Sequence, residues 1–187
     1  ASFLGAAWVA MSVFDSSHFA LLGLPETFAI DAPALESAWR RLQGAVHPDR
    51  HVQGSDTDRR LALQRATQVN EAYRVLRDPQ RRAAYLCALR GVDLQVESNT
   101  TMPPAFLMQQ MEWREALADA RQARDESALD ALRAELDAER DALLARIGAA
   151  LDVRNDPAQA GERVRQLMFL DRLSEEIDFA QEDLLAG

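Results

Sequence analysis

The chain has 187 residues, 48% of them hydrophobic and 27% charged, which is enough apolar material for a core, and its 8 Gly and 7 Pro are too few for a fibrous or linker-like chain. Its one cysteine excludes an internal disulfide and any zinc or iron–sulfur site built from this chain's cysteines alone. All 21 basic residues are Arg: residues 1–96 carry 11 Arg against 10 acidic residues, residues 97–187 carry 10 against 20, and the net charge is −9. An acidic surface disfavours nucleic acid, no apolar run approaches the ~20 residues that cross a bilayer, and a free thiol fits a reducing, cytoplasmic setting. Two halves of opposite charge character predict two modules with different partners.

The opening Ala1–Ala10 is apolar but has no basic residue ahead of it, unlike a secretory signal. Residues 1–14 are read as an extension or start-site artefact, with Met11 available as the native start. Phe19-Ala20-Leu21-Leu22-Gly23-Leu24-Pro25 predicts a short apolar helix ended by Gly and Pro, with Phe19 in the core. Asp31 as N-cap and Pro33 in the first turn then start a stronger helix, on which Leu35, Trp39, Leu42 and Val46 share one face. Pro48 stops it, and a polar loop containing Gly54 is expected from Arg50 to Thr57. The next helix carries Ala62, Ala66, Val69, Tyr73 and Leu76, antiparallel to the one before it. Asp78-Pro79 ends that helix and caps another, Gln80 to Arg90, closed by Gly91.

Residues 92–102 have no helical period and read as a linker. Beyond Pro103-Pro104 the spacing predicts three helices. The first, Pro104 to Ala123, aligns Phe106, Trp113, Leu117 and Ala120; the second, Ser127 to Val153, aligns Leu129, Leu132, Leu136, Leu143, Ile147 and Leu151. After the turn Asn155-Asp156-Pro157, the third carries Val164, Leu167, Leu170, Ile177 and Leu184. Short connections between them predict a three-helix bundle. β-branched residues are scarce and nothing alternates with period two, so the fold class is all-α.

The densest polar cluster is His47-Pro48-Asp49-Arg50-His51, between the two long N-terminal helices. Read as an active site, it offers His47, Asp49 and His51 as metal ligands or as an acid–base pair. Three ligands so close in sequence rarely converge on one ion without a fourth, and the remaining His18 is distant, so no metal, cofactor or catalytic residue is assigned. A binding role is stronger. Proline limits the backbone freedom of the loop, so the imidazole and carboxylate lose little entropy on docking. Asp49 can accept a bidentate Arg, and Arg40, Arg41 and Arg50 form a steering patch for an acidic partner, the alternative for each being a solvated helix face. Cys87, inside Tyr-Leu-Cys-Ala-Leu, reads as a buried thiol. In the second half, Met108, Met111, Glu112 and Glu115 share one helical face opposite the Phe106–Trp113–Leu117 stripe. Spacing alone leaves open whether the two Met are exposed or packed.

His47-Pro48-Asp49 followed by Val69-Asn70-Glu71-Ala72-Tyr73-Arg74-Val75-Leu76-Arg77-Asp78-Pro79 and Arg81-Arg82-Ala83-Ala84-Tyr85 resembles a J domain. Ala105–Leu117 and Val164–Leu173 resemble the C-terminal bundle of the HscB family, the J-protein co-chaperones of iron–sulfur cluster assembly. The resemblance runs from Ser16 to the C-terminus, and the bacterial form is the nearer match because a Cys-rich extension is absent. It implies a J domain over 15–91, a linker over 92–102 and a scaffold-binding bundle over 103–187. It further implies that His47, Pro48 and Asp49, supported by Arg40, Arg41 and Arg50, dock on a DnaK-type chaperone (HscA) and stimulate its ATPase. Leu107, Met108, Met111, Glu112, Glu115 and Phe169 would hold the iron–sulfur scaffold protein IscU. Such a protein is no enzyme; it biases a partner's conformational equilibrium. The alternative is a general J-domain co-chaperone with other protein clients.

Overall fold

A computed structural model describes residues 16–46, 55–94 and 102–186. Among these residues every element is helical and no strand occurs, so the architecture is all-α. The chain divides into two compact units, one ending at Arg82 and the other beginning at Ala83.

The first unit holds α1 (His18–Leu22), α2 (Ala32–Val46), α3 (Asp56–Arg77) and the start of α4 (Pro79–Leu89). Ser17 caps α1 by accepting from the Ala20 N–H at 3.2 Å. Gly23 ends it at φ 67, the left-handed conformation that glycine adopts without steric cost. Asp31 caps α2 as expected, its carboxylate accepting from the Ala34 N–H at 3.2 Å. The loop expected to run to Thr57 is shorter, because α3 begins at Asp56. Ser55 and Asp58 form a reciprocal capping box there, with Asp58 replacing the usual Glu or Gln, and the two bonds stabilise the helix start by about 1 kcal/mol. Phe19, Leu22, Phe28, Leu35, Ala38, Ala62, Val69, Ala72 and Leu76 form the core of this unit. Ala72 lies off the stripe read from the sequence but is fully buried, where only a small side chain lets the helices approach.

The second unit holds the rest of α4, then α5 (Pro104–Ala123), α6 (Glu126–Gly148), a π-helical turn (Ala149–Val153) and α7 (Pro157–Ala186). Arg114–Glu176 at 3.5 Å and Arg121–Asp183 at 3.9 Å make α5 parallel to α7. Arg140–Asp171 at 3.2 Å, with Arg133–Asp178, makes α6 antiparallel to α7. Partly exposed pairs like these contribute about 0–1 kcal/mol each. A fully buried Leu or Ile contributes about 1.5–3 kcal/mol, so the seam of Leu129, Leu136, Leu143, Ile147, Leu167, Leu170 and Ile177 supplies most of the stabilisation. Sequence spacing extends α6 unbroken to Val153, but its last five residues widen into the π turn. The Arg90 guanidinium donates to the Leu151 carbonyl at 2.6 Å, capping that turn from α4's end. At Gly161 a Cβ would meet the Leu94 and Val92 side chains at 3.1 Å, so this glycine lets the segment after α4 lie against α7.

Cys87 is buried, as read from its apolar run, with its Sγ 3.7 Å from the Pro157 carbonyl. Burial pushes its thiol up to about 11, against the smaller lowering effect of Arg90 and Arg165. A folded-state value above the unfolded one means that the protonated thiol contributes stability in full below about pH 8.5, lost as pH rises towards the folded value. Native protein is therefore expected to resist a disulfide reagent at about pH 8 and to react once unfolded. The stability difference between parent and Cys87→Ala should change only at alkaline pH. Rapid labelling of the folded chain would contradict this assignment.

Candidate functional site

In the first unit, α2 and α3 pack as a hairpin, locked by Trp39 and Gln43 of α2 against Asn70 and Tyr73 of α3. The Trp39 ring stacks on Tyr73 with centroids 4.5 Å apart and planes inclined by 16°. Trp39 Nε1 and Gln43 Nε2 both donate to Asn70 Oδ1, each at 3.0 Å. Arg77 lies over the other partner of the stack, 5.7 Å from the Tyr73 centroid. One amide oxygen thus accepts two bonds from successive turns of the facing helix, which fixes the register of the hairpin. Glu71 turns away to bond Arg74 at 2.6 Å and 2.8 Å, and that bond holds its carboxyl below the usual range despite a smaller opposing effect of burial. Burial lowers His18, and the Glu71 charge partly offsets this.

Arg40 and Arg41 are exposed on the last turns of α2, and Arg40 pairs with Glu36 one turn back. His47, Pro48, Asp49, Arg50 and His51 lie outside the described residues. Arg41 stands six positions before His47 in the sequence, so both arginines lie on the last turns of α2.

The second unit gathers most of the other candidates on one helix. Trp113, Leu117 and Ala120 of α5 are buried, while Leu107, Met108, Met111, Glu112 and Glu115 on its far side are exposed. Met108 is 65% exposed and Met111 71%, which settles the alternative left open by spacing. Phe169 joins from α7: its half-buried ring meets Phe106 edge-on at 5.9 Å, and the Arg114 guanidinium covers it at 5.3 Å. Arg114 also reaches Glu176, so a residue absent from the expected set ties Phe169 to α5. Its position three residues after Met111 was the available signal. Phe106, placed on the core stripe by its spacing, is half-buried, and its ring also contacts Trp113 edge-on at 6.1 Å. On the α6 side an open groove of about 530 Å³ runs along Phe106, Gln109, Trp113, Glu135 and Glu139. The Trp113 indole donates to Glu135 there at 2.7 Å, and Arg146 pairs with Glu139 at 3.3 Å. Among the described residues no cluster of His, Cys, Asp and Glu could hold a metal ion, and no helix is long and apolar enough to cross a membrane.

The DnaJ-domain family matches residues 17–85, and the family described as the HSCB C-terminal oligomerisation domain matches residues 102–178. The co-chaperone protein HscB homolog of Bordetella avium is 54% identical over 164 residues, covering 88% of this chain and 96% of the relative. That of Burkholderia mallei is 56% identical over 167 residues, covering 89% and 95%. The chain belongs to the HscB co-chaperone family. Two solved members share its fold. Chaperone HscB from Vibrio cholerae has a TM-score of 0.79 at 36% identity and covers 90% of this chain and 99% of that one. Human co-chaperone HscB has a TM-score of 0.83 at 27% identity and covers 88% and 82%. The HscB C-terminal match spans α5, α6 and α7 as far as Asp178, so the exposed α5 face and Phe169 both fall inside it.

Proposed function

We propose that this HscB-family co-chaperone acts in the cytoplasm. It holds an IscU-type iron–sulfur scaffold on the α5 face and delivers it to a specialised DnaK-type chaperone of the HscA type. The tip His47-Pro48-Asp49, aided by Arg40, Arg41 and Arg50, stimulates that chaperone's ATPase and so promotes cluster transfer and protein maturation. The observation that carries the scaffold role is the exposure of Leu107, Met108 and Met111 beside Glu112 and Glu115, opposite a buried stripe on the same helix. Exposed thioethers flanked by carboxylates make a surface that adapts to an apolar partner segment while the charges orient it. Phe169, tied to α5 by Arg114, extends the face across to α7.

The test is a scaffold titration. Met108→Ala with Glu112→Ala is expected to weaken scaffold affinity by roughly 10- to 100-fold, as for removal of two central interface side chains. Stimulation of the chaperone without scaffold should be unchanged, because neither residue belongs to the hairpin unit. Equal affinity for the double variant would place the scaffold elsewhere.

A further inference from the structure

The two most exposed methionines of the described chain stand one turn apart on the face assigned to the scaffold. Met108 is 65% and Met111 71% exposed, whereas Met102 and Met168 are half-buried and Cys87 is buried. The Met102 sulfur is further engaged, accepting from Gln110 Nε2 at 3.2 Å. A thioether needs no deprotonation to react with a peroxide, so access of the oxidant ranks these sulfurs. By that ranking the oxidant-sensitive positions among the described residues coincide with the face assigned to the scaffold.

We propose that Met108 and Met111 form a reversible oxidation site whose sulfoxides release the scaffold, an inference that rests on the scaffold reading of the same face. Each sulfur donates an electron pair to one oxygen of hydrogen peroxide. The S–O bond forms, the O–O bond breaks, and the proton of the transferred hydroxyl moves to the departing oxygen, which leaves as water. The sulfur is oxidised by two electrons and the peroxide reduced by two. Reversal uses a dithiol reductase: the sulfoxide oxygen leaves as water and the dithiol becomes a disulfide.

The neighbours explain why the change matters for binding. A sulfoxide oxygen is a strong acceptor and needs a donor once water is excluded. Glu112 and Glu115 are acceptors only when ionised, and Leu107 and Phe169 offer no polar hydrogen. Arg114 beside them bonds Glu176 through Nη1 and covers the Phe169 ring. An interface shaped for two thioethers then meets two strong acceptors that Leu107, Phe169 and the ionised Glu112 and Glu115 cannot pair.

The full-length protein alone is treated with hydrogen peroxide, the peroxide is removed, and the oxygen gain at each methionine is read by peptide mass spectrometry. Met108 and Met111 are expected to oxidise several-fold faster than Met102 and Met168; equal or reversed rates overturn the site. Scaffold affinity of the oxidised protein is expected to fall at least tenfold and to return after treatment with methionine sulfoxide reductases and a dithiol. The Met108→Leu, Met111→Leu protein, of similar volume and apolarity, is compared with itself before and after peroxide, and its affinity, whatever its starting value, should not change. If the reduced parent binds and its fully oxidised form binds equally well, the switch is overturned and the scaffold reading stands. If the Leu double variant stays sensitive to peroxide, the switch lies at another sulfur and the proposal fails. If the reduced parent does not bind, the scaffold reading itself is lost, while the mass-spectrometric ranking still stands or falls alone.

Discussion

Asp49→Asn is expected to return the partner chaperone's ATP turnover to its unstimulated rate. The substitution keeps the shape of the side chain and its carbonyl acceptor but removes the charge and the second equivalent oxygen. A carboxylate that accepts an Arg fork makes two parallel charge-assisted bonds, and an amide cannot replace them because one of its ends is a donor. Losing a bond to a charged group costs about 1.5–3 kcal/mol, a factor of roughly 10–150 in an equilibrium constant. On the proposed reading, stimulation would depend on how much more tightly these residues bind the chaperone's active state than its resting state. If Asp49 contacts only the active state, the whole loss falls on that difference. The measurement is steady-state turnover over a range of co-chaperone concentration. An Asn variant that stimulates as well as the parent would remove Asp49 from the docking role. Arg40→Ala and Arg41→Ala should behave differently: they raise the half-saturating concentration severalfold at low salt, and screening at high salt erases the difference, because exposed charges act by steering.

How much of this arrangement can be read from residue order depends on the physics behind each part. The bounds of α5 match the spacing to the residue, because Pro103-Pro104 starts it and a single stripe, Trp113, Leu117 and Ala120, faces the core. The face opposite that stripe is equally legible, but its exposure is not: whether Met108 and Met111 meet water depends on where α7 lies, and that is set by the apolar seam between the helices, with Arg114–Glu176 marking the register at its edge. Leu173, not among the expected Val164, Leu167, Leu170 and Ile177, stands three residues after Leu170 and four before Ile177 and is fully buried, so it continues their stripe. α7 spans 30 residues, and over such a length a straight helix rotates its core-facing positions by about 20° per heptad. In the hairpin, the Asn-Glu-Ala-Tyr run signals a J domain by resemblance, but the reason for its residue types emerges only from the pairing of helices. Asn70 accepts from Trp39 and Gln43, Tyr73 stacks on Trp39, and Ala72 allows the close approach. Arg82 and Arg90 are the least legible, since a charged side chain is by default assigned to the surface.

Arg82→Met is expected to destabilise the hairpin unit by about 2–5 kcal/mol, from two losses that add at one side chain. Arg82 is only 9% exposed, and its Nη1 donates to the Leu76 carbonyl at 2.6 Å. The last carbonyls of a helix have no partner within it, and leaving one of them buried and unpaired costs about 1–3 kcal/mol. The same guanidinium lies 5.0 Å from the centroid of the buried Phe28 ring, a desolvated cation–π contact of about 1–2 kcal/mol. Methionine preserves the bulk and apolar stem, so the cavity term is small and the electrostatic losses dominate. Replacing a buried charge with an apolar side chain can be neutral when both partners of a pair are removed together; here the Leu76 carbonyl remains. Arg82→Lys keeps a donor and the charge but not the planar fork, and should fall between parent and Met. Amide hydrogen exchange separates this from a general loss of stability. Exchange should accelerate at Ala72 and Leu76, while Leu143 and Ile147, in the seam of the other unit, keep their protection. Equal protection at Leu76 in parent and Met variant would mean that the Arg82 contact contributes nothing net, and the α3 terminus would then owe its order to the Phe19, Leu22 and Ala72 packing alone.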